Sequence, residues 1–202
     1  ASVLGAPMRH RPSRALKNLW LVKRHKCISL GGTLIELPEA AVIAGQIQAT
    51  LSGKRILEGG QGNAPHKFAF YTGSAEDYAQ TLKDKVITGA QPNGRMIRVT
   101  LDSGHILVLG EGGEQILYHA SDAALPKKYQ FWLRFADQSS LTVSVQGWGA
   151  ALLFAPGEIA HHSFAGRQEL SPLDEGYIWD YFLGLFQQLK EADSASAKYF
   201  MI

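Results

Sequence analysis

Apolar residues along this chain keep a helical period in two stretches and an alternating one between them. Ala40, Ile43, Ala44, Ile47 and Leu51 recur at helical spacing, which predicts an amphipathic helix entered at Pro38 and stopped by Gly53. Proline suits the first helical position, where an N–H would go unpaired, and Glu39 puts a carboxylate where the helix dipole favours it. Ile35 to Leu37 reads as a short extended lead-in. Further on, Ile178, Tyr181, Phe182, Leu185, Phe186 and Leu189 form a second stripe. It predicts a helix opened by Ser171-Pro172-Leu173-Asp174, with Asp174 and Glu175 in its first turn and Lys190 in its last.

Between these stretches the period shortens to two. Strands are expected at Arg55 to Glu58, Lys67 to Tyr71 and Val86 to Ala90, with a small helix from Ser74 to Leu82 whose Ser74 and Asp77 have capping-box spacing. Met96 to Leu101 and His105 to Leu109 flank Asp102-Ser103-Gly104 and read as a hairpin, continued by Gln115 to His119. Tyr129 to Phe135 and Leu141 to Val145 read as a second hairpin about Asp137-Gln138, and Ala150 to Phe154 as a last strand. Gly59-Gly60-Gln61-Gly62-Asn63 follows a strand but opens no helix, which predicts a flexible turn rather than a phosphate-binding loop. About eight short strands with helices at the ends predict an α+β fold, a two-sheet antiparallel β-sandwich flanked by helices.

Composition places the chain in the globular class: of 202 residues, 46% are hydrophobic and 19% charged. No apolar run approaches the roughly 18 residues a membrane helix needs, so no membrane partner is expected. The net charge of +2 conceals an asymmetry. Residues 1–34 carry Arg9, Arg11, Arg14, Lys17, Lys23, Arg24 and Lys26 and no acid, whereas from Ile35 onward 13 basic residues face 18 acidic ones, a net charge of −5. That balance weighs against a body held to DNA by global charge alone. The extension reads as a basic DNA-binding arm, as an organelle transit peptide, or as a leader outside the natively translated protein. The last is the expectation, because Gly31-Gly32 is what a purine-rich ribosome-binding site encodes in this frame and Leu34 then stands at a start codon. Cys27 is the only cysteine, so no internal disulfide or four-cysteine zinc site can form, and a reducing, cytoplasmic setting is expected.

Glu36-Leu37-Pro38-Glu39, the helix after it, and Leu51-Ser52-Gly53-Lys54-Arg55-Ile56 together resemble the amino-terminal signature of the formamidopyrimidine-DNA glycosylase and endonuclease VIII family. In that family the signature follows an N-terminal proline whose free amine attacks the damaged nucleoside. An α-amino group, with a reference pKa of about 8, serves this role better than a lysine at about 10.4. The resemblance implies that Glu36 is the catalytic carboxylate that shuttles protons through the Schiff base, with Glu39 helping to hold the helix start. The nucleophile position is Ile35, which does not match.

The resemblance continues along the sandwich. Gly94-Arg95-Met96-Ile97 resembles a G-K-Y-L strand start whose lysine contacts phosphate, a role Arg95 could take bidentately. Leu109-Gly110-Glu111-Gly112-Gly113 resembles an L-G-M-T-G turn whose methionine fills the gap left by a flipped base; Glu111 stands there instead. Gln146-Gly147-Trp148-Gly149-Ala150 resembles an R-R-F-G-A turn whose arginine and phenylalanine enter the duplex; Gly147 replaces the arginine and Trp148 keeps an aromatic wedge. Lys127 and Lys128, with Arg134, form a small basic edge that either contacts DNA or is simply solvated. His161-His162 with Glu158 lacks metal-ligand spacing and reads as a polar loop, and His119 as a hydrogen-bonded strand histidine.

Three segments are expected: a basic extension over 1–34, a glycosylase-like amino-terminal β-sandwich domain over 35–165, and over 166–202 a linker with the first helix of a truncated helical DNA-binding domain. The resemblance implies that the rest of that second domain, often including a zinc finger, is missing; no metal or other cofactor is expected in this chain. The expected function is base excision as a DNA glycosylase and abasic-site lyase, impaired or inactive here. The expected partner is damaged double-stranded DNA, bound weakly by a monomer. The alternatives are a catalytically silent module binding DNA or another ligand on the same scaffold, and a fragment with no activity of its own.

Overall fold

Helix α1 spans Leu37–Leu51 with Pro38 in its first turn and Glu36 at its N-cap. It buries Leu37, Ala40, Ala44, Ile47 and Leu51, the predicted stripe save for the half-buried Ile43. The computed structural model describes residues 34–121, 123–167 and 170–187, with backbone only for 185–187. The basic extension with Cys27, the side chains of Leu185 and Phe186, and Leu189 and Lys190 lie outside the described residues.

Among the described residues nine strands follow: β1 (Ile56–Gln61), β2 (Ala69–Phe70), β3 (Ile87–Asn93), β4 (Met96–Leu101), β5 (Ile106–Gly110), β6 (Glu114–His119), β7 (Phe131–Phe135), β8 (Ser140–Val145) and β9 (Gly149–Phe154). They form two sheets, β1-β7-β8-β6 and β2-β9-β5-β4-β3. Among the described residues only β2 and β9 pair in parallel. This is the predicted α+β sandwich. Helix α2 (Ala75–Leu82) starts on the predicted capping box of Ser74 and Asp77 and packs against β1. Its Tyr78 ties the sheets together, donating its hydroxyl to the Ala151 carbonyl of β9 at 2.6 Å and setting its ring edge-on to Phe131 of β7.

Alternation explains the two cores. Phe131, Leu133, Phe135, Leu141 and Val143 are buried on one face of the four-stranded sheet, and Leu107 and Leu109 are buried in β5. The intervening Val108 joins Met96, Leu152 and Phe154 in a second cluster closed by Ala165. β5 is therefore covered on both faces, which is why it reads as a continuous apolar run.

Four expectations are corrected. Most of the glycine-rich run is strand, not turn: Gly59, Gly60 and Gln61 pair with Leu133, Trp132 and Phe131, and Gly62 and Asn63 lie past the strand's end. A Cβ at Gly62 would stand 2.1 Å from the Tyr129 carbonyl oxygen, so glycine there lets two chains approach. Lys67 to Tyr71 shrinks to the two residues of β2, because Ala69 N–H folds back to the His66 carbonyl at 3.1 Å. Gln115 to His119 does not continue the β4–β5 hairpin; β6 crosses to the other sheet and pairs with β8. Finally, Ser171 and Asp174 close a turn on themselves, the Ser171 N–H donating to Asp174 Oδ2 at 2.7 Å. Helix α3 begins later, at Trp179–Gln187, with Asp180 as its first-turn acid.

Candidate nucleic-acid interface

Three connections cross from one sheet to the other: 62–68 between β1 and β2, 111–113 between β5 and β6, and 146–148 between β8 and β9. Crossings leave backbone groups outside the ladders, and such groups must find partners. Here they find one another. Gly113 N–H donates to the Trp148 carbonyl at 2.8 Å and Gln146 N–H to the Gly113 carbonyl at 2.7 Å. Gly149 N–H donates to the Phe68 carbonyl at 2.9 Å, joining the third connection. A Cβ at Gly112 would meet the Trp148 carbonyl oxygen at 2.1 Å, so only glycine permits this contact.

The chain entering α1 docks on the same seam. Ile35, 4% exposed, donates its backbone N–H to the Gly112 carbonyl at 2.8 Å. Glu36 follows, half-buried at the N-cap, where no side-chain cap forms. Glu111 is held at φ +76°, a backbone region that non-glycine side chains seldom occupy. Its N–H donates to the Arg95 carbonyl at 3.2 Å, and Arg95 Nη2 lies 3.6 Å from its Oε1. Ile35, Glu36, Arg95, Glu111 and Trp148, scattered through the sequence, thus meet at one seam.

Other nominated residues sit apart. Glu39 is exposed on the first turn of α1. Lys127 and Lys128 are exposed in the loop before β7, whose carbonyls accept from Asn63 Nδ2 at 3.2 Å and Ser144 Oγ at 3.1 Å. Arg134 donates to Gln138 Oε1 at 2.8 Å. Glu158 accepts from Ala155 N–H, His162 Nδ1 from Ala165 N–H, and His119 Nε2 pairs with Thr142 Oγ1 at 2.8 Å. Among the described residues no group of three or more His, Cys, Asp or Glu could hold a metal ion, and no helix is long and apolar enough to cross a membrane.

One residue that sequence reasoning missed organises the seam. Glu114, 8% exposed, accepts from Gly112 N–H at 3.0 Å with one carboxylate oxygen and from Ala150 N–H at 2.7 Å with the other. Burial pushes its carboxyl up from the usual range, and those two N–H groups pull it back in part. It ties the 111–113 crossing to Ala150 near the start of β9, 36 residues from Glu114 in sequence. A glutamate at a strand start carries no sequence signal of such a role.

Residues 34–146 match the family model of the formamidopyrimidine-DNA glycosylase N-terminal domain. Among solved structures, the chain is similar to wild-type Lactococcus lactis Fpg (MutM) in complex with DNA containing N7-benzyl-Fapy-dG, at TM-score 0.55 and 18% identity, covering 62% of this chain and 46% of that one. It is also similar to Lactococcus lactis Fpg with abasic-site DNA, at TM-score 0.51 and 20% identity over 59% and 43% of the two chains. MutM in complex with DNA containing carbocyclic 8-oxo-G gives TM-score 0.51 and 19% identity over 59% and 44%. The chain thus spans less than half the length of these structures. No curated protein matches its sequence.

Proposed function

The chain belongs to the formamidopyrimidine-DNA glycosylase family, and from that membership we propose that it binds damaged duplex DNA as a diverged member in which base excision is impaired. The observation that carries this reading is the docking of Ile35 N–H on Gly112, Ile35 being the residue that the resemblance sets at the family's attacking amine. In this chain that nitrogen is part of a peptide bond, and its lone pair is delocalised into the carbonyl. It cannot add to a sugar carbon, so a Schiff base for Glu36 to work on would need an amine displaced from the family's position.

Recognition asks less of the site. Trp148, 37% exposed at its crossing, is an aromatic wedge for an opened base step. Arg95 would grip a phosphate beside it once released by Glu111. Lys127 and Lys128 add exposed cations on a neighbouring loop. With a body of net charge −5, binding is expected to be weak and steeply salt-dependent.

The reading is tested by titrating the protein against duplexes with and without one abasic site at fixed salt. Preference for the abasic duplex is the expected result; equal affinity, or none, would remove DNA-damage recognition from the account.

A further inference from the structure

We propose that the connection around His66–Phe68 is a second stacking element, which with Trp148 receives one unpaired DNA base and the phosphate beside it. The inference rests on the DNA-binding reading above and adds to it residues that neither the family signature nor the sequence pattern singles out.

Position comes first. The parallel register pairs Ala69 with Gly149 and Phe70 with Ala150, and Gly149 N–H donates to the Phe68 carbonyl. Phe68 therefore stands beside Trp148 at the same seam. Both rings are accessible, Phe68 at 47% and Trp148 at 37%. Two exposed aromatics on adjoining backbone segments form a patch that burial in the sandwich does not account for.

The segment is also shaped locally. Phe68 N–H donates to His66 Nδ1 at 3.3 Å, and the two rings meet at 62° with centroids 6.3 Å apart. Lys67 Nζ lies 5.2 Å from the Phe68 ring centroid. The patch thus offers a π-face with an ammonium group next to it, the pairing that a base and its phosphate satisfy together.

Charge decides between DNA and an acidic or neutral partner. Although the body from Ile35 onward is net acidic, residues 62–73, 123–136 and 138–157 contain no Asp or Glu. These segments are stitched together: Gly62 N–H donates to the Gln130 carbonyl at 2.6 Å, Gln130 Nε2 to the Ala64 carbonyl at 2.8 Å, and Tyr129 N–H to Asn63 Oδ1 at 3.1 Å. Lys67, Lys127 and Lys128 therefore belong to connections that carry no carboxylate of their own, with Glu111 on the neighbouring crossing beside Trp148. Cations beside exposed rings, with the Glu111 carboxylate of the neighbouring crossing drawn to Arg95, are complementary to a single-stranded stretch of nucleic acid. A paired base has both faces stacked already, so the fitting occupant is an unpaired one.

The experiment compares two duplexes of the same sequence at fixed salt, one fully paired and one with a single bulged base, against the parent chain, Phe68→Ala, Phe68→Leu and Lys67→Gln. The parent is expected to prefer the bulged duplex. Phe68→Ala and Phe68→Leu are both expected to lose roughly tenfold on the bulged duplex and little on the paired one, since leucine keeps apolar volume without a π-face. Lys67→Gln is expected to reduce the dependence of log affinity on log salt by about one. Phe68 is half-exposed, and melting of each variant checks that the fold is intact; Phe68→Leu decides the question if the alanine variant melts early. Unchanged affinity of Phe68→Leu for the bulged duplex, or an equal loss on both duplexes, overturns this inference and leaves general DNA binding standing. No binding of the parent to any of the DNAs overturns both.

Discussion

Arg95 and Glu111 face each other at the seam, Nη2 to Oε1 at 3.6 Å, while the Glu111 N–H donates to the carbonyl of Arg95 itself. A carboxylate there competes with a phosphate oxygen for the guanidinium and repels an approaching backbone. Glu111→Gln keeps the side chain's length and removes its charge. It is expected to tighten DNA binding by about three- to tenfold at low salt, with the gain shrinking as ionic strength rises. Titrations of parent and variant at two salt concentrations measure this.

Glu114 holds the 111–113 crossing to the start of β9 with one carboxylate. Glu114→Ala strands the buried N–H of Gly112 and the half-buried N–H of Ala150. The expected cost is about 2 kcal/mol or more of folding stability, read by urea denaturation. Because the lost bridge also positions Trp148, affinity for damaged DNA should fall in the same variant under conditions where it is still fully folded.

The close approach at Gly62 gives a purely structural prediction. A methyl group there would overlap the Tyr129 carbonyl, which is backbone and cannot swing aside. Gly62→Ala is expected to destabilise the fold by about 3 kcal/mol. Gly53→Ala, with no heavy atom within 4 Å of its added Cβ but φ at +84°, should cost only about 1 kcal/mol. Comparing the two melts separates crowding from backbone strain.

These residues also mark where sequence was and was not sufficient. α1 and the β4–β5 hairpin were legible because burial of one face writes a period into the residues themselves. The strand character of Gly59 to Gln61 was not, since glycine signals a turn locally and its real cause here is a chain 66 positions or more away. The crossing after β5 looked like a hairpin turn because three residues, Glu111 to Gly113, suffice for either; its partners lie at 146–148 and appear only when the sheets are formed. At the site, resemblance nominated Ile35, Glu36, Arg95, Glu111 and Trp148, which the fold brings to one seam. Glu114 and Phe68 went unseen because their importance lies in tertiary register alone.

Stability should depend on pH through Asp137. A hydrogen bond from Lys54, and then one from Ser139, hold its carboxyl down to about 2. An unfolded Asp titrates at about 3.9, so the unfolded chain binds the proton first as pH falls. The stabilisation is complete above roughly pH 4 and is lost on descent through about pH 2. The side chain is 51% exposed, so solvent screening keeps the effect small. Asp137→Asn should melt below the parent at pH 6, and the gap should close toward pH 2.

We propose that the seam recognises damage without an amine at the family's position to attack it. Borohydride reduction tests this most directly, on abasic duplex saturated with the full chain so that a noncovalent complex is present throughout. The account predicts no covalent adduct beyond that given by an unrelated basic protein of equal lysine content. A rapid, stoichiometric adduct, abolished by Glu36→Gln, would contradict it and restore the lyase reading.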